Sequence, residues 1–156
     1  MNKETQSIIK NLENTLNGQP WFGRAVFEIL KEVDETKVFT KPYETEHSLI
    51  ELLYHMITWA EFCLKQLQNA PANKLKEVEN NDWRRINPDK HDWKKGISEL
   101  KKIHKQIIAI LKKKNDDFLS EIADERKFNN RFMLNGLIQH NIYHLGQVAY
   151  VKKLLS

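Results

Sequence analysis

Two histidines, His140 and His144, stand four residues apart in the segment 139–147 (QHNIYHLGQ). Four residues advance an α-helix by ~6 Å and turn it by about 40°, so both imidazoles share one face. The same face carries the apolar residues Met133 and Leu137. One buried imidazole can be satisfied by a single hydrogen bond, but two adjacent ones in an apolar interior are harder to satisfy. The spacing therefore fits either a pair of structural histidines or two nitrogen ligands of one metal ion.

A third histidine strengthens the metal interpretation. His55 lies in the apolar segment 52–57 (LLYHMI), which we expect to be the middle of a helix facing that of His140 and His144. Three nitrogen ligands leave one or more positions open to water or substrate, as in catalytic rather than structural sites. A zincin would place a glutamate after the first histidine of the pair as general base. Asn141 occupies that place and cannot accept a proton, so peptide hydrolysis by that route is not expected.

Three further residues lie within one helical turn of these histidines. Glu51 precedes His55 by one turn, and is either a catalytic base or hydrogen-bond partner, or an exposed residue at the start of the helix. Trp59 follows His55 by one turn and fits a core position or the wall of a substrate pocket. Gln147 follows His144 by three residues, and could contact a substrate or a neighbouring helix.

Cys63 and His104 are two further residues of types that can bind a metal ion. Cys63 lies eight residues beyond His55, ~12 Å along a helix, so it is too far to bind the same ion and is predicted to be a small buried hydrophobe. It is the only cysteine, so an intrachain disulfide is excluded and a cytoplasmic location is the default expectation. His104 falls on an apolar helical stripe and is predicted to be a hydrogen-bonded core histidine.

Four long helices must position these residues. With 5 glycines and 4 prolines in 156 residues, the chain favours long helices over a β-sandwich or barrel. Apolar periodicity predicts a first helix through Ile8 and Leu16, a second over about 47–68, a third from an N-cap near Asp89 to Leu111, and a fourth over about 130–155. A further periodic stretch covers 22–34. The prediction is an all-α four-helix bundle, with residues 1–156 forming one domain.

The composition narrows the possible partners. The chain is 40% hydrophobic and 29% charged, and it has no apolar run long enough for a membrane span. Its net charge is +4, but the lysines of segment 94–114 are dispersed along one helical pattern rather than gathered with aromatic residues in a groove. A solvated helix face explains this pattern better than a nucleic-acid surface. We therefore expect neither a membrane nor a nucleic acid as partner.

The histidine motifs resemble those of a known family. Segment 140–147 (HNIYHLGQ) resembles the HxxxHxGQ pattern of the DinB-like (YfiT-like) superfamily of metal-binding four-helix bundles, and 52–57 resembles its upstream histidine motif. Segment 17–23 (NGQPWFG) is similar to the entry to the first helix in one branch. The resemblance implies that His55, His140 and His144 bind one divalent ion, most often zinc or nickel. Three nitrogen ligands also suit iron or manganese.

The resemblance also suggests a function. Some family members transfer low-molecular-weight thiols such as bacillithiol, mycothiol or glutathione to electrophiles, others isomerise thiol adducts, and many have no assigned reaction. We therefore expect a metal-dependent thiol S-transferase. The alternatives are a metal-dependent hydrolase of a small substrate and a non-enzymatic, metal-stabilised interaction or stress-response module. Family members are frequently dimers, so a homodimer is expected.

Overall fold

The computed structural model describes residues 2–44, 47–70 and 74–156, and these residues form six α-helices. The helices are α1 (Lys3–Asn17), α2 (Val26–Lys31), α3 (Leu49–Leu67), α4 (Leu75–Asn80), α5 (Trp93–Leu111) and α6 (Asn130–Leu154). The four long helices, α1, α3, α5 and α6, form a bundle, which confirms the predicted all-α four-helix architecture. None of the helices described combines the length and apolar character needed to cross a membrane.

Helix α3 lies at the centre of the bundle and packs against both α5 and α6. Its sequence is apolar on almost every side, and residues from Leu49 to Leu67 are mostly buried. Such an all-round apolar helix is stable only when other helices surround it. The packing of α3 against α6 confirms that the helix of His55 faces the helix of His140 and His144.

Side-chain caps fix where the two site-bearing helices begin. At the start of α3, the backbone N–H of Ser48 donates to the Glu51 carboxylate at 2.8 Å, and the Ser48 hydroxyl accepts from the Glu51 N–H. At the start of α6, the Asn129 side chain accepts from the Phe132 N–H at 2.9 Å. Each cap stabilises its helix by about 1 kcal/mol. The caps therefore help to set the positions along the helices at which the histidines face the bundle interior.

Two predicted boundaries were wrong. Helix α5 begins at Trp93, with Asp92 as the N-cap accepting from the Lys95 N–H at 2.8 Å, rather than at Asp89. Asp89 instead lies in a turn in which the Asn87 carbonyl accepts from the N–H groups of residues 90 and 91. The periodic stretch 22–34 is α-helical only over α2, because a turn closed by Gly23 N–H and the carbonyl of residue 20 occupies its start.

Candidate metal centre

The structure brings His55, His140 and His144 together in the bundle interior. The Nε2 atom of His55 lies 2.9 Å from Nε2 of His144 and 3.0 Å from Nε2 of His140. One ligand atom from each of the three residues lies within 4.8 Å of the others. His55 and His144 are buried, and His140 is partly buried. Helices α3 and α6 thus direct three nitrogen donors towards one point.

The hydrogen bonds on the outer sides of the rings set the tautomers. Nδ1 of His55 lies 2.9 Å from a carboxylate oxygen of Asp82 and 3.3 Å from its carbonyl oxygen, and neither oxygen can donate a proton. Nδ1 of His144 lies 2.5 Å from Oε1 of Gln147. The proton on each ring therefore belongs at Nδ1, as in metal-ligating histidines whose second nitrogen donates to an acceptor. Both Nε2 lone pairs then point at each other across 2.9 Å, an arrangement that only a shared cation or proton stabilises.

A proton is the weaker of these two options. Burial, joined by the neighbouring imidazoles, lowers the pKa of His140 to about 3. Burial likewise lowers the pKa of His144 to about 4. Burial also lowers the pKa of His55, although the Asp82 carboxylate opposes the shift. Neutral imidazole is the form that binds metal ions, so the cluster is in its ligand form at physiological pH.

The spacing of the nitrogens also fits a metal ion. Donors at 2.0–2.1 Å from one ion are about 2.9 Å apart for an angle of 90° and about 3.3 Å apart for a tetrahedral angle. The observed separations of 2.9 and 3.0 Å lie at the lower end of this range. The residues present therefore fit a divalent ion held by three nitrogens.

A loop between α4 and α5 covers the cluster. The ring of Trp83 stacks on His55 with centroids 4.0 Å apart, and His47 stacks on Trp83 at 3.6 Å. In the same loop, Asp82 accepts from the indole N–H of Trp59 as well as from His55. Trp83 therefore holds this loop against the bundle. His47, just before α3, is half-buried and packs against Trp83.

Glu51 makes different contacts from those suggested by its position one turn before His55. Its carboxylate caps α3 at Ser48 and forms an ion pair with Lys41 at 3.1 Å. Partial burial opposes ionisation, but the hydrogen bonds from Ser48 and the Lys41 charge hold the pKa of Glu51 below its usual value. The hydrogen bond to His55 is made by Asp82 instead. A role for Glu51 as a catalytic base stays a prediction.

Sequence reasoning missed Asp82 and the contact between Gln147 and His144. Asp82 lies in a polar loop whose lack of periodicity hides its proximity to α3, although the adjacent Trp83 marks a loop segment that must pack on something apolar. Gln147 could have been found from spacing, because residues three apart share a helix face. The structure places its amide on the His144 ring, while substrate contacts by Gln147 and Trp59 stay predictions.

His104 and Cys63 occupy the core positions that were predicted. Nδ1 of His104 donates to the Leu100 carbonyl at 2.9 Å, and its Nε2 accepts from the Asn141 amide at 3.0 Å. Asn141, at the place of the zincin glutamate, is thus engaged with α5. Cys63 is buried, and burial raises its pKa to about 12, so its thiol stays protonated.

Comparison with known proteins is consistent with this geometry. The chain is similar to a DinB-like protein from Bacillus subtilis of known crystal structure, with a TM-score of 0.66 and 19% identity over 94% of this chain and 90% of that chain. This likeness supports the fold. No curated protein matches the chain significantly. The sequence profile of the DinB superfamily matches residues 22–148, a span that includes all three clustered histidines. With most of its length covered by that profile, the chain belongs to the DinB superfamily.

Proposed function

We propose that this protein binds one divalent metal ion through His55, His140 and His144 and transfers a low-molecular-weight thiol to an electrophilic small molecule. The observation that carries the proposal is the convergence of imidazoles in which the Nε2 atoms of His55 and His144 lie 2.9 Å apart. Zinc or nickel is the proposed ion, and iron or manganese is compatible with the same three nitrogens.

The chemistry follows from the open side of a three-histidine site. When bound, a divalent ion would lower the pKa of a thiol that coordinates it, and the thiolate is the reactive form. The thiol proton passes to solvent, the sulfur electron pair forms the new S–C bond, and the leaving group departs with the electron pair of the broken bond. Asp82 and Gln147 orient the rings of His55 and His144, and Trp83 stacks on the His55 ring.

An external thiol also agrees with the state of the protein's own cysteine. Cys63 is buried, and its raised pKa of about 12 makes it a poor nucleophile. A cytoplasmic location is part of the proposal, since small thiols are kept reduced there. Hydrolysis of a small substrate is the alternative, but it needs a base for the attacking water, and the Glu51 carboxylate is engaged in the cap of α3.

The metal site is tested by elemental analysis of the purified protein. Changing His55, His140 or His144 to alanine should abolish retention of the ion, because two remaining imidazoles hold it far more weakly. His91→Ala is the matched control, since His91 is a histidine outside the cluster. Full metal retention in His144→Ala would refute the site.

Thiol transfer is tested with cobalt-substituted protein. Titration with glutathione or bacillithiol should produce a sulfur-to-cobalt charge-transfer band, and His144→Ala should lack it. A fully loaded protein that gives no band would exclude the transferase mechanism and leave hydrolysis or a non-enzymatic, metal-stabilised interaction module as the function.

A homodimer is also proposed. Helix α6 exposes Tyr143, Tyr150 and Leu154, at spacings of seven and four residues that place them on one helix face. Burial of this apolar face against a second copy would remove it from water. Light scattering should give twice the chain mass of 18.5 kDa, and a value of 18.5 kDa would contradict the dimer.

A further inference from the structure

A second feature of the site is a cavity of about 170 Å³ between α3 and α6. Its walls include the apolar side chains of Trp59, Phe62, Met133 and Leu137, and His140 forms its boundary towards the histidine cluster. A dry apolar cavity of about 150 Å³ is large enough to bind benzene. The volume therefore suits one aromatic ring.

The charges around the cavity favour an apolar occupant. Arg126 contributes to the lining, but its guanidinium forms an ion pair at 2.6 Å with Asp124, whose side chain is 0% exposed. Cys63 also lines the cavity, and burial raises its pKa to about 12, so it contributes a neutral thiol. The walls thus offer no uncompensated charge to an anionic ligand, whereas an aromatic ring loses little by leaving water for them.

The position of His140 links the cavity to the proposed reaction. Its Nε2 atom belongs to the cluster, 3.0 Å from Nε2 of His55, and the same imidazole is a wall of the cavity. A ring in the cavity is therefore separated from the ion site by one side chain. A reactive carbon attached to that ring would have to reach past His140 to meet a thiol bound at the cluster.

We propose that this cavity binds a single aromatic ring of the electrophilic substrate and so selects benzyl electrophiles. The assignment of the ring to the electrophile rests on the proposed thiol transfer. In the step, sulfur forms a bond to the substrate carbon next to the ring, the leaving group departs with the electron pair of its bond, and the thiol proton goes to solvent.

The test uses the full zinc-loaded chain, in which the methionine methyl groups are labelled with ¹³C for NMR. Benzyl alcohol is the probe. Met133 lines the cavity, whereas Met56 lies in the core and does not line it, so Met56 is an internal control. Titration should shift the Met133 methyl signal in a saturable manner and leave that of Met56 unchanged. An unshifted Met133 signal would overturn the proposal.

Two glycines of α6 supply a matched pair of variants. Gly136 lines the cavity and a Cβ added to it meets no atom within 4 Å, so Gly136→Leu should enter the cavity without disturbing the fold. A Cβ added to exposed Gly146 also meets nothing, but Gly146 does not line the cavity. Gly136→Leu should raise the dissociation constant of benzyl alcohol at least tenfold, and Gly146→Leu should leave it within twofold. Equal affinity in both variants would overturn the proposal.

This result is distinguishable from failure of thiol transfer. A shifted Met133 signal without a thiol-to-cobalt band would refute the transferase function and with it the assignment of the ring to an electrophile. A thiol band with an unshifted Met133 signal would refute the aromatic pocket alone. If both signals appear, Gly136→Leu should lower kcat/KM for benzyl chloride at least tenfold with glutathione, and lower it much less for the ringless electrophile iodoacetamide. An equal loss for both electrophiles would overturn the proposed selectivity.

Discussion

Substitution of Asp82 by asparagine tests whether the loop that covers the three histidines tunes the proposed metal site. The wild-type carboxylate oxygen lies 2.9 Å from Nδ1 of His55 and holds the proton on that nitrogen, so that Nε2 is free to bind an ion. Asparagine has nearly the same shape but no charge. The change therefore removes the charge-assisted hydrogen bond while leaving the loop and the stacking of Trp83 in place.

The expected loss can be bounded from the contacts that remain. Removing a hydrogen-bond partner of a metal-ligating histidine costs about 10–100-fold in metal affinity. The backbone carbonyl of Asp82, 3.3 Å from Nδ1 of His55, survives the substitution and can keep the tautomer. We therefore expect a loss near the lower bound, about tenfold in zinc affinity or about 1.4 kcal/mol.

The assay is competition for zinc against a chromogenic chelator at pH 7. Asp89→Asn is the matched control, because it makes the same change of charge at an exposed position in the neighbouring turn. Its affinity should stay within twofold of wild type, and circular dichroism should show equal helix content in both variants. If Asp82→Asn also bound zinc within twofold of wild type, the carboxylate would not orient His55, and the argument from tautomers would lose its support.

Three further predictions concern stability. Burial lowers the pKa of His104 to about 4 in the folded chain, against about 6.5 when unfolded. The unfolded state therefore binds the proton more tightly than the folded state. The stability that neutral His104 contributes is fully present above about pH 6.5 and falls by up to about 3 kcal/mol as the pH drops towards 4. Urea unfolding at several pH values in this range should show a smaller loss of the free energy of unfolding in His104→Gln than in wild type. An equal loss in both would contradict the assignment of this pH dependence to His104. Gly146→Ala should stabilise the chain by about 0.5–1 kcal/mol, because its Cβ meets no atom, whereas Gly96→Ala should destabilise it, because its Cβ would lie 2.8 Å from Leu53 in the core. Two urea curves with the same sign of change would refute this contrast. Zinc at 100 times its dissociation constant should raise the free energy of unfolding by about 2.7 kcal/mol, and calorimetry of His144→Ala should show no such gain.

The three clustered histidines could be singled out from the sequence because each of them is an exception within a regular pattern. Spacing on one helix puts His140 and His144 on a common face, and His55 interrupts an apolar run that is predicted to be a buried helix. The start of α5 was harder to predict, because Asp89 and Asp92 are both good N-caps. The turn built on the Asn87 carbonyl decides between them, and no periodic pattern reports such a turn.

The hydrogen-bond partners of His55 and His144 differ in how far sequence can reveal them, and the reason is the geometry of imidazole. A ring that directs Nε2 into the bundle directs Nδ1 outwards, so its partner comes either from its own helix or from whatever covers the helix. For His144 the partner is Gln147 on the same helix, which spacing could find. For His55 it is Asp82, 27 residues further along the chain. The nearer carboxylate on its own helix, Glu51, lies in the first turn, where unsatisfied N–H groups and the helix dipole attract a negative charge. Competition from the helix end therefore explains why the nearest carboxylate in sequence does not contact the imidazole.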